Sequence, residues 1–106
     1  MNTSPTLQSV QAQVDEWITT NGVRYFSELT NMAILTEEVG ELAREYNHQF
    51  GAKNKKPTES DGSIEDELAD LLWLVLCMAN QQGIDLTVAF EKVMTKLNVR
   101  DAGRHS

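Results

Sequence analysis

The sequence predicts an all-α protein: a four-helix-bundle-like subunit assembled through its second and third helices into a homo-oligomer. Three observations predict it. Apolar residues recur at steps of three and four in four segments of the 106-residue chain, with no alternating stretch and no internal repeat. Cap and breaker residues such as Asn21-Gly22, Ser63 and Gly83 bracket the segments. The third segment is apolar at every position from Leu71 to Ala79, and a helix that is apolar all round must be covered on all sides. A chain this short buries only about 65% of its unfolded surface, so a second subunit is expected over the far face.

The elements follow in order. The first helix is expected from about Thr6 to Thr20, with Leu7, Val10, Val14, Trp17 and Ile18 on its core stripe. Asn21-Gly22 ends it, because such a pair tolerates left-handed backbone. The second begins between Ser27 and Thr30 and ends at Phe50-Gly51. Its core stripe is read as Leu35, Val39, Leu42 and Tyr46, and Glu38, Glu41 and Glu45 run beside it at steps of three and four. Residues 51–62, "GAKNKKPTESDG", read as a polar loop. Ser63 caps the third helix, with Asp66 at its third position, and Gly83 stops it after Gln82. Asp85 caps a fourth helix that runs to about Asn98, before a loose tail "DAGRHS". All of this is one domain over residues 1–106, with an ordered core of about residues 6–100.

Composition excludes several functions. Sixteen acids against nine bases give a net charge of −7. Nucleic acid is therefore not expected as a partner, because gripping phosphates without sequence preference needs a basic face. The single cysteine, Cys77, permits no internal disulfide and reads as a small core hydrophobe. The N-terminal ten residues lack the basic and apolar regions of a signal peptide. The longest apolar run, nine residues, falls short of the ~20 that a membrane span needs. A cytoplasmic location and no membrane partner are expected.

The carboxylates carry the chemistry. In the third helix Glu67 and Asp70 stand at i and i+3 on the stripe continued by Leu71, Leu74 and Met78. Acids on a core stripe are costly unless they are paired or hold a cation. A short connection makes the second and third helices antiparallel neighbours, which brings Glu38 and Glu41 opposite Glu67 and Asp70. Such crowding raises carboxyl pKa values, and a hard divalent cation relieves it. An oxygen-only ligand set selects Mg²⁺, with Mn²⁺ as the alternative, and Mg²⁺ on carboxylates commonly meets substrate phosphates. A di-iron reading of Glu45-x-x-His48 lacks its second motif, since the other histidine, His105, is in the tail.

With these acids in view, the sequence resembles the MazG-like nucleotide pyrophosphohydrolases, an all-α superfamily. The resemblance rests on Glu37-Glu38-x-x-Glu41 followed by Glu67-x-x-Asp70, and extends over roughly residues 10 to 101 through "YFSELTNMAILTEEVGELAREYNHQFG" and "VMTKLNVRD". It implies hydrolysis of a nucleoside triphosphate to the monophosphate and pyrophosphate, in a homodimer or homotetramer with the nucleotide near the subunit interface. Matched position by position, Glu38, Glu41, Glu67 and Asp70 are the Mg²⁺ ligands. Glu37 is an outer carboxylate that orients or deprotonates the attacking water. Cousins implied by the same likeness are dUTPases and phosphoribosyl-ATP pyrophosphatases.

The triphosphate calls for cations. Lys96 and Arg100, four residues apart at the end of the fourth helix, are the first candidates. Asn98 between them is a further phosphate or ribose contact, and Lys53, Lys55 and Lys56 stand second. For the base, Trp17, Tyr25 and Phe26 are the candidate platform, although Trp17 also fits the core and Trp73 reads as core or interface. The alternative function is a non-catalytic helical oligomer that binds metal or nucleotide as a sensor or partner module, and turnover separates the two.

Overall fold

The computed structural model describes residues 4–51 and 62–104, with side chains through Arg100. The loop expected at residues 51–62, the lysines at 53, 55 and 56, and His105 fall outside the described residues, save for Gly51 and Gly62. Four helices make up the described chain: α1 (Leu7–Thr20), α2 (Glu28–Phe50), α3 (Ile64–Gln81) and α4 (Leu86–Arg104). No strand occurs among the described residues.

The caps expected at Ser63 and Asp85 form, and the structure adds caps at Thr6 and Ser27. Thr6 and Ser9 form a reciprocal capping box at the start of α1. Ser27 accepts from the Thr30 N–H, and Ser63 from the Asp66 N–H at 3.0 Å. Asp85 accepts from the Thr87 N–H at 2.9 Å and opens α4. Gly22 and Gly83 hold φ of +66° and +67° just past α1 and α3, where a side chain would be strained. The fourth helix runs six residues past the expected end at Asn98, to Arg104. No glycine or proline interrupts it before Gly103, so nothing in that stretch stops propagation.

α3 is the centre of the fold, with α1 and α2 packed against it. Val14, Ile18, Leu76 and Cys77 form the buried core, joined by Val10, Tyr25 and Leu86. The other side of α3 is bare: Leu68, Leu72, Trp73 and Val75 are all at least 39% exposed. α4 turns 109° from α3 and packs chiefly on α1, so the four helices do not close into a bundle. The radius of gyration is 17.6 Å, against about 13 Å for a compact chain of this length. No single described helix is long and apolar enough to cross a membrane.

The expected core stripe of α2 is rotated, and that of α1 holds except at Trp17. Val39 and Tyr46 are 51% and 45% exposed, not buried. The face that α2 turns to α3 is instead Asn31, Leu35, Glu38, Leu42 and Glu45, which alternate steps of four and three. Its fully buried members are polar, Asn31 and Glu45. Asn31 donates to Gln81 Oε1 at 2.8 Å and to the Phe26 carbonyl at 3.4 Å. That pairing across the interface sets the rotation of α2, and hydropathy alone does not reveal it. On α1, Trp17 is 51% exposed and lies edge-to-face on Trp73, with ring centroids 5.6 Å apart. It belongs to the surface next to α3, not to the core.

Candidate metal centre

The rotation of α2 delivers Glu38 to α3. Asn31, Glu38 and Glu45 stand seven residues apart on one face, so the residue that locks the helix pair also aims the carboxylates. On α3, the Ser63 cap fixes the first turn, and Glu67 N–H closes onto the Ser63 carbonyl at 3.1 Å. Glu67 and Asp70 then fall one turn apart on the side facing α2. Gly62, directly before the cap, admits the buried Glu45: a Cβ there would stand 2.7 Å from Glu45 Oε1.

Glu38, Glu67 and Asp70 converge. One carboxylate oxygen from each lies within 4.8 Å of the others, the one group of three candidate metal ligands among the described residues. Glu38 and Glu67 are half-buried, and Asp70 is exposed at the mouth. Glu38 Oε2 and Glu67 Oε2 are buried without a hydrogen bond. Two ionised carboxylates have no donor to share, so their contact is repulsive. One proton between them turns it into a hydrogen bond. That bond to Glu38 is the main reason the Glu67 carboxyl is pushed up to about 7; burial and the charges of Glu41, Glu38 and Asp70 add to it.

The group fits a divalent cation. The donors are oxygen only, two of them are shielded from water and lack partners, and the site is short of positive charge. Glu38, Glu67 and Asp70 would hold the ion directly. Glu41 stands exposed beside them, close enough to act on Glu67 electrostatically but outside the tight group. Glu37 is exposed on α2, away from the α3-facing stripe. Glu45 and His48 do not join the group.

Other expected site residues are scattered. Lys96, Asn98 and Arg100 lie exposed along α4, which leaves the opposite end of α3 from the acids. Trp17, Tyr25 and Phe26 line one cavity of about 610 Å³ with Trp73, Leu74 and Asn31. None of Glu38, Glu67 and Asp70 lines it; its nearest lining residues in sequence, Trp73 and Leu74, follow Asp70 by about one helical turn of α3. Sequence reasoning missed Asn31, Gln81, Gln11 and Asn80, the polar residues that join the helices. The available signal was the seven-residue repeat of polar residues at 31, 38 and 45 on a helix that must pack.

Fold and cluster together define an all-α protein built around a carboxylate groove suited to a divalent cation. The chain belongs to the MazG nucleotide pyrophosphohydrolase family: the MazG nucleotide pyrophosphohydrolase domain matches residues 26–105, and the chain is accordingly a hydrolase. It is 50% identical over 99 residues to YpjD, an uncharacterised protein of Bacillus subtilis strain 168, covering 93% of this chain and 89% of that one. The crystal structure of Bacillus subtilis YpjD, described as a candidate pyrophosphatase, superposes with a TM-score of 0.80 at 44% identity, over 93% of this chain and 99% of that one. A Bacillus-conserved MazG protein, described as a nucleotide pyrophosphohydrolase, superposes with a TM-score of 0.73 at 44% identity, over 91% and 93%.

Proposed function

We propose that this protein hydrolyses a nucleoside triphosphate to the monophosphate and pyrophosphate with Mg²⁺ held by Glu38, Glu67 and Asp70, and with Glu41 completing the shell. The observation that carries the proposal is the pair of buried, unpartnered oxygens, Glu38 Oε2 and Glu67 Oε2, facing each other beside Asp70. The cation supplies charge for the phosphate chain and acidifies the water that attacks it. The protein's own part is positioning. Glu38 and Glu67 would hold the cation through their buried oxygens. Glu37, on the outward side of α2, is assigned as the outer carboxylate that orients or deprotonates the attacking water. The Trp17, Phe26 and Trp73 cavity takes the base, and its aromatic lining supports that reading. Removal of surplus or non-canonical nucleotides fits such a reaction.

We read the assembly as a homodimer or homotetramer. Leu68, Leu72, Trp73 and Val75 of α3 are all at least 39% exposed, a run of large apolar side chains of the kind that marks an interface. The bare side of α3 is its most apolar part and the natural seat for a second copy. Lys96, Asn98 and Arg100 on the outward-turned α4 then serve the phosphate chain in the site of a neighbouring copy, with Lys53 as the candidate from the loop.

A product assay tests the function. The protein is incubated with each common ribo- and deoxynucleoside triphosphate in Mg²⁺, and the products are separated by chromatography. Monophosphate with pyrophosphate, lost with EDTA and in Glu38→Gln, is expected. Diphosphate with inorganic phosphate would place the attack on the wrong phosphorus, and nucleotide binding without turnover would favour a sensor or partner module.

A further inference from the structure

We propose that Gln11 is a positioning residue. Its carboxamide locks the turn between α3 and α4, and so sets the angle at which α4 presents Lys96, Asn98 and Arg100. The functional half of this inference rests on the phosphate role proposed above for α4.

Gln11 lies in α1 yet is only 6% exposed, one of three buried polar or charged residues among those described. Its Nε2 donates to the Ile84 carbonyl at 2.7 Å, and its Oε1 accepts from the Leu86 N–H at 2.9 Å. Leu86 is the first residue of α4, and its N–H is one of the groups a helix start leaves without a partner. One carboxamide therefore satisfies a donor and an acceptor two residues apart on the turn. The grip is reinforced on both sides. Gln11 Nε2 also donates to Asn80 Oδ1 at 3.2 Å, and Asn80 Nδ2 returns bonds to the Gln11 carbonyl at 3.0 Å and the Tyr25 hydroxyl at 3.1 Å. Tyr25 donates to Asp15 Oδ1 at 2.6 Å, which closes the network on α1.

Besides this network, Leu86 packs on the core and the Ile84 N–H donates to the Ala79 carbonyl at 2.9 Å. Beyond the turn, Gln8 N–H donates to Thr87 Oγ1 at 2.9 Å. Of the α4 residues with described side chains, none is buried, and only Leu86, Thr87 and Ala89 are partly so. Lys96 stands ten residues past Leu86, about 15 Å along the helix. A small change of angle at the turn is magnified over that lever. The side chain at position 11 must offer a donor and an acceptor on one rigid plane, which glutamine does and glutamate or methionine does not.

The experiment compares Gln11→Met and Gln11→Glu with the intact protein. Val14→Ala is a control that weakens the same α1–α3 core without touching the turn or the aromatic cavity. Spin labels at the exposed positions 65 on α3 and 91 on α4, in a Cys77→Ala background diluted with unlabelled chain, report the α3–α4 distance. Triphosphate turnover reports function. Both Gln11 variants are expected to shift or broaden the distance distribution and to raise KM about tenfold, as loss of a charge-assisted contact does. The kcat and the Mg²⁺ activation constant stay put, and Val14→Ala lowers Tm while moving neither distance nor KM. An unshifted distance in Gln11→Met overturns the lock. A shifted distance with unchanged KM overturns the positioning role. Lys96→Ala, measured alongside, then locates the fault: an unchanged KM there means that the assignment of the α4 cations failed and not the lock itself.

Discussion

Replacing Glu67 with glutamine should make the metal-free protein more stable while abolishing its activity. In the wild-type protein above pH 7, Glu67 is ionised against Glu38, and two buried oxygens lack partners. Glutamine is nearly the same shape and brings a donor, so its amide satisfies Glu38 Oε2 where the carboxylate repelled it. The carboxyl is pushed up from 4.5 to about 7 in the fold, so the proton is held more tightly folded than unfolded. Metal-free stability is therefore fully present below about pH 4.5 and falls as pH rises toward 7. Glu67 is only half-buried, and solvent screening discounts the penalty that ionisation imposes. About 1 kcal/mol is left for glutamine to recover at pH 8, or roughly 4–8 °C in Tm for a domain of this size. At pH 5 the wild-type carboxyl is protonated and the gain should vanish. Thermal unfolding in EDTA at pH 5 and pH 8, at one protein concentration, measures both. Mg²⁺ should then raise Tm in the wild type and not in the variant. A Glu67→Gln protein that is less stable at pH 8, or that still turns over with Mg²⁺, would refute the reasoning.

Further predictions concern the same site and its surroundings. The Mg²⁺ concentration for half-maximal activity should rise about tenfold for each pH unit below 7, because the cation must displace the Glu67 proton; a flat profile from pH 5.5 to 8 would count against Glu67 as a ligand. Asp70→Asn should abolish turnover with helix content unchanged by circular dichroism. Leu72→Asp, on the bare side of α3, should lower the sedimenting mass to that of one chain; an unaltered mass would move the interface elsewhere. Asn31→Ala should cost about 1–3 kcal/mol in chemical unfolding, since it leaves Gln81 Oε1 without its buried donor.

Much of this was legible in the chain itself. Helix number, most helix ends and the caps at Ser63 and Asp85 follow from local chemistry, because each cap needs only a side-chain oxygen and a nearby N–H. The acids of the centre were legible too, since carboxylates on the apolar stripe of α3 demand a reason. The uncovered side of α3 followed from an apolar run too broad for one neighbour. Other features are relations between residues far apart in sequence, and periodicity carries no information about them. Which face of α2 meets α3 was decided by Asn31 and Gln81, fifty residues apart, against the hydropathy of Val39 and Tyr46. That Glu38 and not Glu41 stands in the tight group is a consequence of the same rotation. The direction of α4 depends on a glutamine 75 residues before the helix it steers. Local sequence determines which segments coil and which residues can bear charge; only the tertiary fold decides which charges meet, because that depends on contacts the chain makes after it closes.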